Sequence, residues 1–167
     1  MTAANHTLAR CAGRGSGGRP RQSLHNRAAE SRRSDFRTPP QFMNLEYFSA
    51  TDTGRARSNN EDSVALDESS ALAVLADGMG GYNAGEVASG MATGFIKTEL
   101  GRWLVEAGAT ATDAEVRRAM DICVDNANRA IFNAANANPQ YAGMGTTLVV
   151  ALFRGTRVLV GHVGDSR

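Results

Sequence analysis

Three short clusters hold the residues of this chain whose types and spacing could do chemistry. The first, Arg57-Ser58-Asn59-Asn60-Glu61-Asp62, sets an arginine four residues ahead of adjacent carboxylates. The second is Asp77, which follows the apolar run Leu72-Ala73-Val74-Leu75-Ala76 and precedes Gly78-Met79-Gly80-Gly81. The third is Gly164-Asp165-Ser166-Arg167, again an acid just past an apolar run. Acids at the ends of several strands converge on one edge of a sheet. An oxygen-only ligand set of that kind suits a hard divalent ion, Mg2+ or Mn2+, and not zinc, which takes His or Cys. A guanidinium fork binds phosphate oxygens bidentately, so Arg57 beside such carboxylates points to phosphoryl chemistry. Taken singly, the clusters have plainer explanations. Asp77-Gly78 would be an ordinary strand-to-turn pair, and Arg57 with Glu61 a surface ion pair contributing at most ~1 kcal/mol.

The elements that must position these residues are legible in the apolar pattern. Segments 45–50, 63–66, 71–76, 146–153 and 157–163 are short and enriched in Val, Leu, Phe and Tyr, as strands are. The 71–76 run is continuously apolar, which predicts a strand buried on its faces. Arg154-Gly155-Thr156 between the last two segments is a hairpin signal. Two helical patterns intervene. The first covers 85–105, where Gly90 and Gly94 weaken propensity but permit close packing on a sheet. The second starts at a capping box, Thr112 with Glu115, and carries Val116, Ala119, Met120, Cys123, Ala127, Ala130, Ile131 and Ala134 along one face. The order strands, two helices, strands predicts a layered α+β domain with antiparallel sheet, because the βαβ alternation of a doubly wound fold is missing.

Charge divides the chain. Residues 1–42 hold eight Arg, no Lys and two acids, Glu30 and Asp35, for +6; residues 43–167 hold ten basic and fifteen acidic residues, for −5. The first segment, rich in Arg, Ser, Gly and Pro, buries too little apolar surface to offset its ordering entropy and reads as a disordered basic tail. A transit peptide, a nucleic-acid arm and an anionic-membrane tether are the functional readings of such a tail; none has a specific signature here, and no nucleic-acid partner is expected. Met43 opens the first segment of folded character, so residues 1–42 also read as an over-extended start. Cys11 and Cys123 make no disulfide framework, which places the protein in the cytoplasm by default. No apolar run approaches the roughly 18 residues of a membrane span, so no membrane segment is expected in this chain.

Taken in order, the motifs Gly54-x-x-Arg57-x-x-Asn60-Glu61-Asp62, Ala76-Asp77-Gly78-Met79-Gly80-Gly81, Gly85-Glu86, Gly145-Thr146-Thr147 and Gly164-Asp165-Ser166-Arg167 closely resemble those of the PPM-type (type 2C) metal-dependent protein serine/threonine phosphatases, bacterial branch. The resemblance covers residues 44–167. It implies a sandwich of two antiparallel sheets flanked by helices, of which 43–167 would be the N-terminal part. It also implies two Mn2+ or Mg2+ ions, with a third held more loosely. By that resemblance Asp77 bridges the ions and Gly78 offers its carbonyl; Glu61 and Asp62 hold metal-bound waters or one metal; Asp165 helps bind the third ion; and Arg57 grips the substrate phosphoryl group. Gly145, Thr146 and Thr147 would shape the start of a core strand. The implied reaction is direct hydrolysis of phosphoserine or phosphothreonine in proteins by a metal-activated water, opposing a serine/threonine kinase.

Two departures qualify the resemblance. Eukaryotic members often have a histidine after the Asp-Gly pair, where this chain has Met79, which donates no proton; His162 reads as a sheet-face histidine and not as a replacement acid. The family also completes its metal site with Asp-Gly and Asp-Asn motifs in a C-terminal part that the 167 residues lack, so the chain reads as a fragment of the domain. The rival reading is an inactive phosphatase-like module that binds a phosphoprotein or regulatory partner. A further one makes the acids purely structural.

Overall fold

The structure, a computed structural model, describes residues 45–55, 58–81 and 84–166. Arg57, Arg167 and the basic tail 1–42 lie outside the described residues.

Strand β1 (Asp62–Asp67) and strand β2 (Leu72–Met79) form an antiparallel hairpin whose register runs from Asp67 opposite Leu72 to Asp62 opposite Asp77. Asp67 closes the turn: its carboxylate accepts from the Ser69 backbone N–H at 3.1 Å, from Ser69 Oγ at 2.7 Å and from Ser70 Oγ at 2.6 Å. Helices α1 (Ala84–Ala107) and α2 (Asp113–Ala137) follow, then a short 3-10 turn Pro139–Tyr141. The chain returns as β3 (Gly145–Thr146) and β4 (Leu148–Arg154), both antiparallel to β2, and ends the sheet with β5 (Arg157–Val163) beside β4. The sheet order is β1-β2-β4-β5, with β3 paired to β2.

Both helices cover one face of this sheet. Leu72, Val74, Ala76 and Gly78 of β2 point to that face and are buried, while Leu75, Asp77 and Met79 alternate to the other and are exposed. Among the described residues the helices cover one face of the apolar run, because β-strand side chains alternate and both helices lie on the same side. On α1 the buried stripe tapers along the helix. Ala84, Gly85, Ala88, Ser89 and Ala92 occupy the first half and Ile96, Leu100 and Leu104 the second. Small residues let the start of α1 approach the sheet closely; beyond them Ile96, Leu100 and Leu104 each contribute about 1.5–3 kcal/mol of burial, and Gly101 clears the Asp67 carboxylate, which an added Cβ would meet at 2.9 Å.

The capping box of α2 forms as the sequence predicts. Thr112 Oγ1 accepts from the Glu115 N–H, and the Thr112 N–H donates to Glu115 Oε2. Val116, Met120, Ala127 and Ile131 are the buried members of its stripe. Segment 45–50 is not a strand in the structure. The Tyr47 ring meets Phe153 edge-on with centroids 6.3 Å apart, but a strand is defined by backbone partners, and composition does not supply them. Among the described residues no helix is long and apolar enough to cross a membrane.

Candidate functional site

Asp77 lies inside β2, two residues before its end, and not at its tip. Cross-strand register places Asp62 directly opposite it, so both carboxylates project from the sheet face away from the helices. Directly opposed like charges repel, and a cation between them converts that repulsion into attraction. Glu61, one residue earlier, falls on the opposite side by strand alternation. Its carboxylate lies against the start of α1, where a Cβ added to Gly85 would sit 2.7 Å from Glu61 Oε1. The structure thus pairs Asp62 with Asp77 and turns Glu61 towards the helix.

Gly78 sits at the tightest contact of the site. A Cβ there would lie 2.0 Å from the Gly85 carbonyl oxygen and 2.7 Å from the Glu61 carbonyl oxygen. Its N–H donates to that same Glu61 carbonyl at 3.0 Å. The first turn of α1 therefore touches the backbone of β2 beside Asp77, which the small residues of α1 allow.

Asp165 follows β5 and is exposed. Gly164 before it turns the chain at φ +93°, and Ser166 after it meets Thr147, hydroxyl to hydroxyl, at 2.9 Å. Thr147 in turn accepts from the Asp77 N–H through Oγ1 at 3.1 Å. The turn bearing Asp165 is tied by two side-chain bonds to the backbone of Asp77. Arg57 lies outside the described residues.

The donor set is oxygen-only, as a hard divalent ion requires. Among the described residues, however, no group of three or more His, Cys, Asp or Glu is gathered closely enough to hold a metal ion. The structure assembles one carboxylate pair, Asp62 and Asp77, with Asp165 tethered to the same strand end through Thr147 and Glu61 behind the strand; these suit a hard metal ion in kind. His162 is exposed opposite Val149 on the face away from the helices. The Cys123 thiol is pushed up from its ordinary value first by burial and then by the Glu99 charge, so it is held protonated and is no thiolate nucleophile.

Sequence reasoning missed the part played by Thr146 and Thr147, which it assigned to strand formation. Thr146 Oγ1 donates towards the Asp77 carbonyl at 3.0 Å, so both hydroxyls bond the acid's own peptide groups. Two adjacent hydroxyls preceding an apolar strand were the available signal.

An α+β layer with carboxylates at one end of an antiparallel sheet serves many functions, and comparison with known proteins shows the family to which this one belongs. Residues 52–167 match the family described as protein phosphatase 2C. The chain is 39% identical over 127 residues to the serine/threonine protein phosphatase PstP of Mycobacterium tuberculosis, covering 74% of this chain and 22% of that protein. It is 37% identical over 120 residues to the serine/threonine phosphatase stp of Listeria innocua, covering 70% and 46%. The PstP catalytic domain, solved in complex with two manganese ions, superposes with a TM-score of 0.53 over 70% of this chain and 46% of that one, at 39% identity. This chain belongs to the protein phosphatase 2C family. It spans less than half the length of these curated relatives.

Proposed function

We propose that this chain supplies the N-terminal part of a cytoplasmic, metal-dependent phosphatase domain that removes phosphate from phosphoserine and phosphothreonine in proteins, opposing a serine/threonine kinase. The observation that carries the reading is the opposition of Asp62 and Asp77 across β1 and β2, at the end of the sheet where α1 touches Gly78.

Asp77 and Asp62 would hold Mn2+ or Mg2+ through carboxylates and Gly78 through its carbonyl. Asp165 would hold a further ion, and Glu61, turned towards α1, would steady Gly78 from behind, its backbone carbonyl accepting the Gly78 N–H. When bound, such ions supply Lewis acidity, making water nucleophilic near neutral pH and offsetting charge on the phosphoryl oxygens. Arg57 would bind the non-bridging oxygens bidentately and keep phosphorus in line with the attacking water. The bond from phosphorus to the seryl or threonyl oxygen breaks as the new one to the attacking water oxygen forms, and the leaving oxygen takes its proton from a water or an acid of the site. Met79 does not supply that proton. With the Cys123 thiol held protonated by burial, no covalent cysteinyl phosphate enters the scheme.

The test is hydrolysis of p-nitrophenyl phosphate with and without Mn2+, by the 167-residue chain and by a chain extended in frame through any downstream sequence. Mn2+-dependent hydrolysis by the extended chain, reduced about a thousandfold by Asp77→Asn, is the expected result; several kcal/mol of lost metal stabilisation corresponds to roughly that factor. Hydrolysis indifferent to Mn2+ or to Asp77→Asn would contradict the reading. Absence of both hydrolysis and Mn2+ binding would favour the inactive binding module.

A further inference from the structure

One step of the ladder beside Asp77 is made by side chains where backbone would ordinarily serve. Leu75 pairs with Val149 and Gly78 with Thr146, so a single register passes through both and sets Asp77 opposite Thr147. The Thr147 N–H donates to the Asp77 carbonyl at 2.9 Å, which is half of an ordinary antiparallel pair. The other half is replaced. The Asp77 N–H donates to Thr147 Oγ1, and the one proton of the Thr146 hydroxyl is shared between the Asp77 carbonyl at 3.0 Å and the Thr147 carbonyl at 2.9 Å.

A hydroxyl has one proton and two lone pairs, and Thr147 uses this capacity twice. Besides accepting from Asp77, its Oγ1 shares a hydrogen bond with Ser166 Oγ. Its methyl fits against Gly164, where an added Cβ would lie 2.9 Å from Thr147 Cγ2. The left-handed turn that carries Asp165 is therefore folded around the Thr147 side chain.

We infer that Thr147 is a positioning residue that couples the Asp77 carboxylate of β2 to the Asp165 carboxylate after β5, so that the two sides of the ion site are held in one geometry. The inference rests on the phosphatase reading above. Groups that orient metal ligands from behind typically change metal affinity by about 10- to 100-fold when removed. The Asp77–Thr147 and Thr147–Ser166 bonds are partly open to solvent, so water can replace them. Their loss then loosens the site more than it destabilises the fold.

The experiment compares the 167-residue chain with Thr147→Val, Thr147→Ser and Ser166→Ala, by Mn2+ titration calorimetry and by amide hydrogen exchange at Asp77 in the metal-free protein. Valine keeps the packing on Gly164 and deletes the bonds; serine keeps the bonds and deletes the methyl. The expected result is Mn2+ binding weakened about 10-fold or more in Thr147→Val, with faster Asp77 exchange, and binding within about 3-fold of the parent in Thr147→Ser. Ser166→Ala, which removes only the link to the turn, weakens Mn2+ binding while leaving Asp77 exchange unchanged, and it carries the test should Thr147→Val fail to fold. Parent-like Mn2+ binding in Thr147→Val or in Ser166→Ala, or equal weakening by valine and serine, overturns the inference. A parent chain that binds no Mn2+ either alone or when extended in frame through any downstream sequence overturns instead the phosphatase reading beneath it.

Discussion

At Gly78 the fold leaves room for a hydrogen atom and nothing larger. A methyl group would meet two backbone carbonyls, from Gly85 and Glu61, and neither can move without separating α1 from β2. Gly78→Ala is expected to destabilise the chain by about 3 kcal/mol, the upper end of ordinary overpacking. Gly90 is the internal control, since it lies within α1 and a Cβ there meets nothing within 4 Å. Gly90→Ala should stabilise by up to ~1 kcal/mol through helix propensity. Urea unfolding of both variants checks the pair. Asp67 gives a prediction in pH. Its carboxyl is held below the usual value of 3.8, first by the Ser70 hydroxyl and then by Ser69. A depressed folded pKa contributes stability that is present above the unfolded value and lost as pH falls through the folded one. Ser70→Ala should therefore lower stability at neutral pH, and the gap from the parent should close below pH 3.8. A gap unchanged at lower pH would show that the hydroxyl acts otherwise.

Elements that announce themselves through local chemistry were legible in the sequence. The α2 start was fixed by Thr112 and Glu115, whose reciprocal bonds form in the structure. Thr112→Ala should cost about 1 kcal/mol of stability, read from thermal or urea unfolding. The β4–β5 hairpin was equally plain, because Gly155 supplies the φ of +58° that its turn requires. Features that depend on distant partners were not. Segment 45–50 has strand composition without strand pairing, and β2 reads as doubly buried although helices cover one face. Asp62, Asp77, Gly78 and Asp165 were read as candidate site residues from residue type, order and the family resemblance. The turning of Glu61 towards α1 and the anchoring of Asp77 by Thr146 and Thr147 required the register of three strands, which no single segment encodes.

For the molecule as a whole, the described sheet has one helix-covered face and one open face. On the open face Leu75, Val158 and Val160 are exposed, with Val64, Ala151 and Phe153 among them by register. The two-sheet sandwich implied by the family resemblance places its second sheet on such a face. Asp62 and Asp77 project from that face too, so the proposed ion site and the apolar surface belong to one layer. The central claim is that a divalent ion is held at this end of the sheet. It is tested most directly by paramagnetic broadening of backbone amide signals as Mn2+ is added to the metal-free 167-residue chain. Broadening is expected at Asp62, Asp77, Gly78 and Gly164 to Ser166 before any other described residue, and it is expected to be lost in Asp77→Asn. Broadening that begins elsewhere, or that survives Asp77→Asn unchanged, would contradict it.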